Sequence, residues 1–541
     1  DSVEPGLVYA DWLEEQGDPR AELVRVQLAL RGPVDSAGCA GLRAKERLLT
    51  KRLRGKILGP VRSLTNNVGF FDGLILPELS SDIFLKNLDA ILHQSPTMGV
   101  RFTKLKTRGV ADCRELKSLR AVSLRGNSSQ AARAALLKSK HLTELRALQP
   151  SDAAIRPEFA EAWCTDKWPH LTRAVLESGA KIDLAEMLAA PQMKRLRHLS
   201  LGYIDYSDKD TLVNALADGE TAPNLETFDP GQLFMQDSDW SRFCRTMHLP
   251  SVRKLDLSHD FCSWVDLKCL LSNKGLPRLE ELAVLTTDAK PLPETFAVKP
   301  PRSLSRLGVR QCQFSESGAI ALGESRLFRQ LESLRIAPGN LARHLKAMRK
   351  AGVVARKMRA LELSRIRPTV ADISILQELC PNLETLAMDC SSAVVRELAQ
   401  LSMPKLRCLQ LGDFALKPSL VKAMASAPWF PRLETLNLDD LQVSDEAVAA
   451  LADVAAEHPL KLRVLALGRI GTAAARTLAD SDAFSQLDFL EFSAENVGKV
   501  TLRRVKQKYG PVYEGGWSTV ARSIGGFVPE FFVGHPFGGI V

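Results

Sequence analysis

Groups able to do covalent or metal chemistry are spread thinly along this 541-residue chain. Its nine histidines form no pair at metal-ligand spacing. Its ten cysteines form neither a CxxC pair nor a Cys/His cluster. There is no Gly-rich phosphate loop, no GxSxG and no HExxH. His198 adjoins a core strand and reads as a surface or packing residue rather than a base. No catalytic residue, cofactor or metal is therefore expected, and the chain reads as a non-enzyme. The scattered cysteines read as reduced small hydrophobes, which fits a reducing compartment.

Charge is more concentrated than chemistry. Arg43, Lys45, Arg47, Lys51, Arg52, Arg54 and Lys56 alternate with Leu42, Leu49, Leu53 and Ile57, and only Glu46 opposes them. This pattern predicts an amphipathic helix with a basic face. Two roles follow: contact with an anionic surface, or a cap helix neutralised by the acidic residues of segment 1–30. No aromatic side chains are interleaved to stack bases, so nucleic acid is an unfavoured partner.

The elements that must position these groups follow from composition and pattern. Apolar residues make up 45% and charged residues 25%, which excludes a mainly disordered chain. No apolar run reaches the ~18 residues that a transmembrane helix needs. The length alone would predict several globular domains. An internal repeat predicts something else. The frame Leu116-x-x-Leu119-x-x-Val122-x-Leu124-x-x-Asn127 returns at Leu279-x-x-Leu282-x-Val284, Leu331-x-x-Leu334-x-Ile336, Leu406-x-x-Leu409-x-Leu411 and Leu462-x-x-Leu465-x-Leu467. Its anchors run from Val122 through Leu148, Ala174, Leu199, Phe228, Leu255, Leu282, Leu307, Leu334, Leu361, Leu386, Leu409, Leu436 and Leu465 to Leu490, about 26 residues apart. Leu148, Ala174 and Phe228 are degenerate members, and strands near Gly73–Leu76 and Phe102–Leu105 are expected to begin the array.

In each L-x-L both apolar side chains point to one face of a strand, and only stacked strands can bury them. Between strands the pattern turns helical, with Ser444 before Val448, Leu451 and Val454, and Ser315 before Ile320 and Leu322. Gly471 before Ala475 and Leu478 is a weaker version. This strand-plus-helix period resembles the ribonuclease-inhibitor-like class of leucine-rich repeats. The resemblance implies an α/β solenoid, a horseshoe with a parallel sheet on its concave face and helices on its convex face. One departure is the Asn of the turn. It survives at Asn127, but Asp260, Cys312, Ile366, Phe414, Leu441 and Ile470 hold that place elsewhere, so the turn must be satisfied by backbone or water.

Two residues before each anchor runs a ladder that includes Arg253, Glu280, Ser305, Glu332, Arg359, Glu384, Arg407, Glu434, Arg463 and Asp488. Its sign alternates from Glu332 onward, so each charge should meet an opposite one on the next strand, ~4.8 Å away. The ladder reads as structural. The positions beside the anchors face the concavity. They carry Arg306, Arg310 and Arg335 in the middle of the array and Glu362, Asp389, Asp439 and Glu491 toward its end, read as separated positive and negative patches. Such a wall suits a protein or peptide ligand, and solenoids use that face for binding.

The start, Tyr9-Ala10-Asp11-Trp12-Leu13-Glu14-Glu15 followed by Gly17-Asp18-Pro19-Arg20-Ala21-Glu22-Leu23, predicts two short helices. Gly17 should end the first, and Asp18 should cap the second with Pro19 at its first position. Tyr9, Trp12 and Leu13 are expected to share a face. The string resembles the bacterial repeat-companion domain found beside leucine-rich repeats in myxobacterial and planctomycete proteins, which implies a bacterial, cytoplasmic setting. The chain opens at Asp1 rather than Met, which leaves room for a segment ahead of it.

The expected organisation is a helical N-terminal cap over 1–70, an array of about 15–16 repeats over 71–498, and an aromatic- and Gly-rich cap or tail over 499–541. Within the tail, Lys508-Tyr509-Gly510 resembles the X-Tyr-Gly tripeptide of precursors cut by radical-SAM spliceases. That resemblance implies a modifying enzyme as partner. The sequence thus leaves two functions standing. One is a monomeric scaffold that binds a protein or peptide through its concave face. The other is a solenoid that presents residues 499–541, or docks an anionic surface through 43–56.

Overall fold

The computed structural model describes residues 4–30, a few positions between 42 and 64, and, with short gaps, 68–509. Among the described residues nineteen strands form one sheet. They pair in chain order, and the array is parallel throughout. Only the first strand, Val68–Phe71, is antiparallel to its neighbour Leu74–Ser80. It straddles the boundary expected at residue 70, and the sequence reading did not foresee it. The fold is an α/β leucine-rich-repeat solenoid, with helices and 3-10 turns joining successive strands.

The anchors meet in register. Leu282 lies beside Leu255 and Leu307, and Leu386, Leu409, Leu436, Leu465 and Leu490 form one continuous column. The degenerate anchors obey the same register, since Leu148 pairs with Ala174 and Leu199 with Phe228. Every anchor is buried. Each large apolar side chain contributes about 1.5–3 kcal/mol of burial, which a lone strand could not collect.

Local chemistry starts the helices as the sequence indicates. Ser444 accepts the Ala447 N–H at 3.2 Å and Ser315 the Gly318 N–H at 3.1 Å. Ser263 with Asp266 and Thr369 with Asp372 add reciprocal capping boxes. Gly471 precedes its helix with no side-chain bond. The missing Asn ladder is replaced in two ways. Cys312, Leu441 and Ile470 are buried where the Asn would stand. Toward the end of the array the strands Thr435–Val443, Val464–Gly471 and Phe489–Asn496 continue through the turn, so backbone pairs with backbone at Gln442–Arg469 and Gly471–Asn496.

At the N-terminus, helices Glu4–Glu15 and Arg20–Ala29 flank Gly17, whose φ of +65° is the left-handed turn that glycine permits. Pro19 rather than Asp18 flanks the second helix, one residue later than expected. Asp18 still serves it, accepting the Arg20 N–H at 2.9 Å and pairing with its guanidinium. Ala10, Leu13, Ala21, Val24 and Leu28 make a small core apart from that of the array. Leu13 enters it, whereas Trp12 does not share its environment: it stacks on Tyr9 and stays 51% exposed.

Candidate functional site

Register sorts the concave face into two columns. The residue before each anchor and the residue after it both point away from the helices, because side chains alternate along a strand. Glu281, one before Leu282, lies between Lys254 and Arg306 on the neighbouring strands. Its carboxylate is 3.7 Å from Lys254 Nζ and 3.1 Å from Arg306 Nε. Arg335, one after Leu334, lies beside Glu362, with Nε 2.9 Å from Oε1. Near the start, Arg101 reaches Glu78 at 2.8 Å. Glu281 and Glu362 are buried in these contacts.

The separated charge patches expected from sequence are therefore corrected. Arg306 and Arg335 each hold a carboxylate of an adjacent strand, and Arg335 and Glu362 form one pair rather than two patches. Sequence sorted these residues by sign along the chain, but the sheet pairs them across it. Arg310 is exposed, with Nη1 3.5 Å from the Ser258 carbonyl. Asp389 and Asp439 are half-buried and Glu491 is buried.

One concave cluster was missed. Asp229 and Asp256 occupy the position after the anchor on adjacent strands, since Phe228 pairs with Leu255. Asp229 accepts the Gly231 N–H at 2.8 Å and the Ser200 hydroxyl at 2.9 Å. Asp256 accepts the Ser258 N–H at 2.8 Å, while its Oδ2 is buried without a hydrogen-bond partner. His259 Nε2 lies 3.9 Å from Asp229 Oδ2. Burial, reinforced by the neighbouring Asp256 charge, pushes the Asp229 carboxyl up to about 6. Later in the strand that carries Asp256, Phe261 is 55% exposed. The signal was present: reading the residue after each anchor down the repeats gives Ser200, Asp229 and Asp256 in succession.

The ladder before the anchors forms in separate pairs, rather than with an opposite neighbour on both sides of each charge. Arg253 meets Glu280 at 2.8 Å, Arg359 meets Glu384 at 3.3 Å, and Arg407 Nε donates to Glu434 at 2.8 Å. Of the basic segment, Lys45 pairs with Glu22 at 2.8 Å, and Leu49 and Leu53 are buried. Arg43, Arg47, Lys51, Arg52, Arg54 and Lys56 lie outside the described residues. Helix Lys499–Tyr509 ends the described chain. Its Lys508 reaches Asp482 at 3.0 Å, and the buried Tyr509 donates its hydroxyl to the Leu478 carbonyl at 2.8 Å. Tyr509 is thus a packing residue of the last repeats. Gly510 lies outside the described residues.

Among the described residues, no group of three His, Cys, Asp or Glu side chains could hold a metal ion. The described cysteines are free thiols, and burial pushes Cys380, Cys390 and Cys408 up to about 12, far from thiolate reactivity. Among the described residues no helix is long and apolar enough to cross a membrane.

No protein-family model matches the chain, and no curated protein matches it. Among solved structures it is similar to a chain of the yeast Rad7–Elc1 complex, at 18% identity over 73% of this chain and 87% of that one, with a TM-score of 0.38. It is similar to an internalin from Listeria monocytogenes at 16% identity, over 71% of this chain and 92% of that one, with a TM-score of 0.29. A leucine-rich-repeat protein of Leptospira interrogans matches at 16% identity over 74% of this chain and 91% of that one, with a TM-score of 0.34.

Proposed function

We infer that this chain is a non-catalytic scaffold that binds a protein or peptide through its concave face, with the Asp229–Asp256 cluster at the centre of recognition. One observation carries the reading. Among the described residues, these adjacent carboxylates meet no Lys or Arg, whereas the Glu281 and Glu362 carboxylates on the same face do. A buried carboxylate without a hydrogen-bonding cation is costly, and a partner's Lys or Arg would relieve that cost. Phe261, 55% exposed and later in the strand that carries Asp256, adds apolar surface to that strand.

The test is selection from a random displayed-peptide library on the full chain, in parallel with Asp229→Asn and Asp256→Asn. Wild type should enrich peptides with a Lys or Arg next to an apolar residue, and these should bind the variants at least about tenfold more weakly. Peptides that bind all three proteins equally would refute the placement of the site.

A further inference from the structure

A second charged feature lies beside the concave face, on the rim where the strands begin. A groove of about 580 Å³ is lined there by Arg146, Arg195, Arg197, Arg253 and Arg278, with Glu226 among them. It arises from a break in the charge ladder. Arg146, Arg197 and Arg253 are each two residues before an anchor, on every second strand. From Glu332 onward a carboxylate fills each place between two arginines, as Glu384 does between Arg359 and Arg407. Between Arg146 and Arg197 stands Thr172, which carries no charge and spends its hydroxyl on the Arg146 carbonyl at 3.4 Å. Arg195, ahead of the strand His198–Ser200, and Arg278, ahead of the strand Glu281–Thr286, add charge to the same hollow.

The acids nearby do not cancel it. Asp166 takes Arg195, Glu280 takes Arg253, and Glu226 lies 3.7 Å from Arg197. Arg146 and Arg278 are exposed and have no carboxylate partner among the described residues. The excess cations are all arginines, whose planar fork matches carboxylate oxygens. The remaining lining offers Pro169 and His170 but no Phe, Tyr or Trp on which bases could stack. From Arg146 to Arg253 the rim spans four strand spacings, roughly 19 Å, the length of about six residues of extended peptide.

We propose that this rim groove binds an acidic peptide segment of a partner protein, its carboxylates received by Arg146, Arg197 and Arg278. The site is separate from the Asp229–Asp256 cluster and opposite in charge, so it stands or falls apart from the concave-face reading.

The test uses the full chain and fluorescence anisotropy with a labelled hexaglutamate peptide, a hexalysine control and a short oligothymidylate. Hexaglutamate should bind, more weakly as salt rises, and hexalysine should not. Arg146→Glu with Arg278→Glu should weaken binding at least about tenfold. Both side chains are exposed, so the circular dichroism and melting of this variant should match wild type. Arg356→Glu with Arg476→Glu, an equal charge change at exposed positions outside the groove, should leave binding intact. Equal loss in both double variants would reduce the effect to net charge and overturn the proposal. So would absence of hexaglutamate binding at low salt, or tighter binding of the oligothymidylate abolished by the same groove substitutions.

Discussion

Replacing Asp229 by Asn should stabilise the middle of the array, and the gain should depend on pH. The Asp229 carboxyl is 5% exposed and titrates near 6, raised by burial and then by the Asp256 charge. An unfolded Asp titrates near ~3.9. The folded state therefore holds its proton more tightly than the unfolded state. Below about pH 4 both forms are protonated and the site costs nothing. Between about pH 4 and 6 the unfolded chain gives up its proton first, and stability falls as pH rises. Above about pH 6 the loss is complete, at about two pK units or on the order of 3 kcal/mol. Asn keeps the shape, can still accept the Gly231 N–H and can donate to the Ser200 oxygen. It has no charge to bury. The difference between Asp229→Asn and wild type should grow from near zero at pH 4 to a few kcal/mol in favour of the variant at pH 7. Long repeat arrays need not unfold in one step, so the measurement should be local. Hydrogen exchange over residues 198–262, read by mass spectrometry at several pH values after correction for intrinsic rates, provides it. A difference that is flat with pH, or that favours wild type at pH 7, would refute the account of this site.

Three further outcomes are expected. Leu409→Ala removes a buried anchor held between Leu386 and Leu436, and should cost about 2–5 kcal/mol, seen as lost exchange protection in those three strands. A double-mutant cycle on Arg407 and Glu434 should return under about 1 kcal/mol, shrinking with salt, because both side chains remain partly exposed. Tyr509→Phe deletes the bond to the Leu478 carbonyl and should cost about 1 kcal/mol, confined to exchange of the last repeats.

Much of the fold was legible because its signal is doubly periodic. Alternation within L-x-L marks the strand, and the spacing of about 26 residues marks the stack. Even Ala174 and Phe228, poor matches alone, were placed by the regularity of their neighbours. The antiparallel strand Val68–Phe71 was not, since it lies outside the period. The site was less legible because charge on a sheet is read across strands. Arg335 and Glu362 are 27 positions apart in sequence, and only register makes them a pair. The rim groove was missed for a related reason: it sits among the degenerate repeats, where the ladder was not traced before Arg253.

The strands differ in length, and that has a mechanical consequence. Ala147–Gln149, Arg173–Val175, His198–Ser200 and Thr227–Asp229 are three residues each, whereas the strands from Thr435 onward run to eight or nine. In a solenoid each unit is held only by its neighbours, so the joints between short strands have the fewest ladder bonds to resist separation. Under tension the molecule should part first between residues 147 and 229 and leave the C-terminal stack whole. Both the acid cluster and the arginine groove lie in or beside that compliant stretch. A partner bridging its strands would act as a splint, stiffening the array where it is weakest.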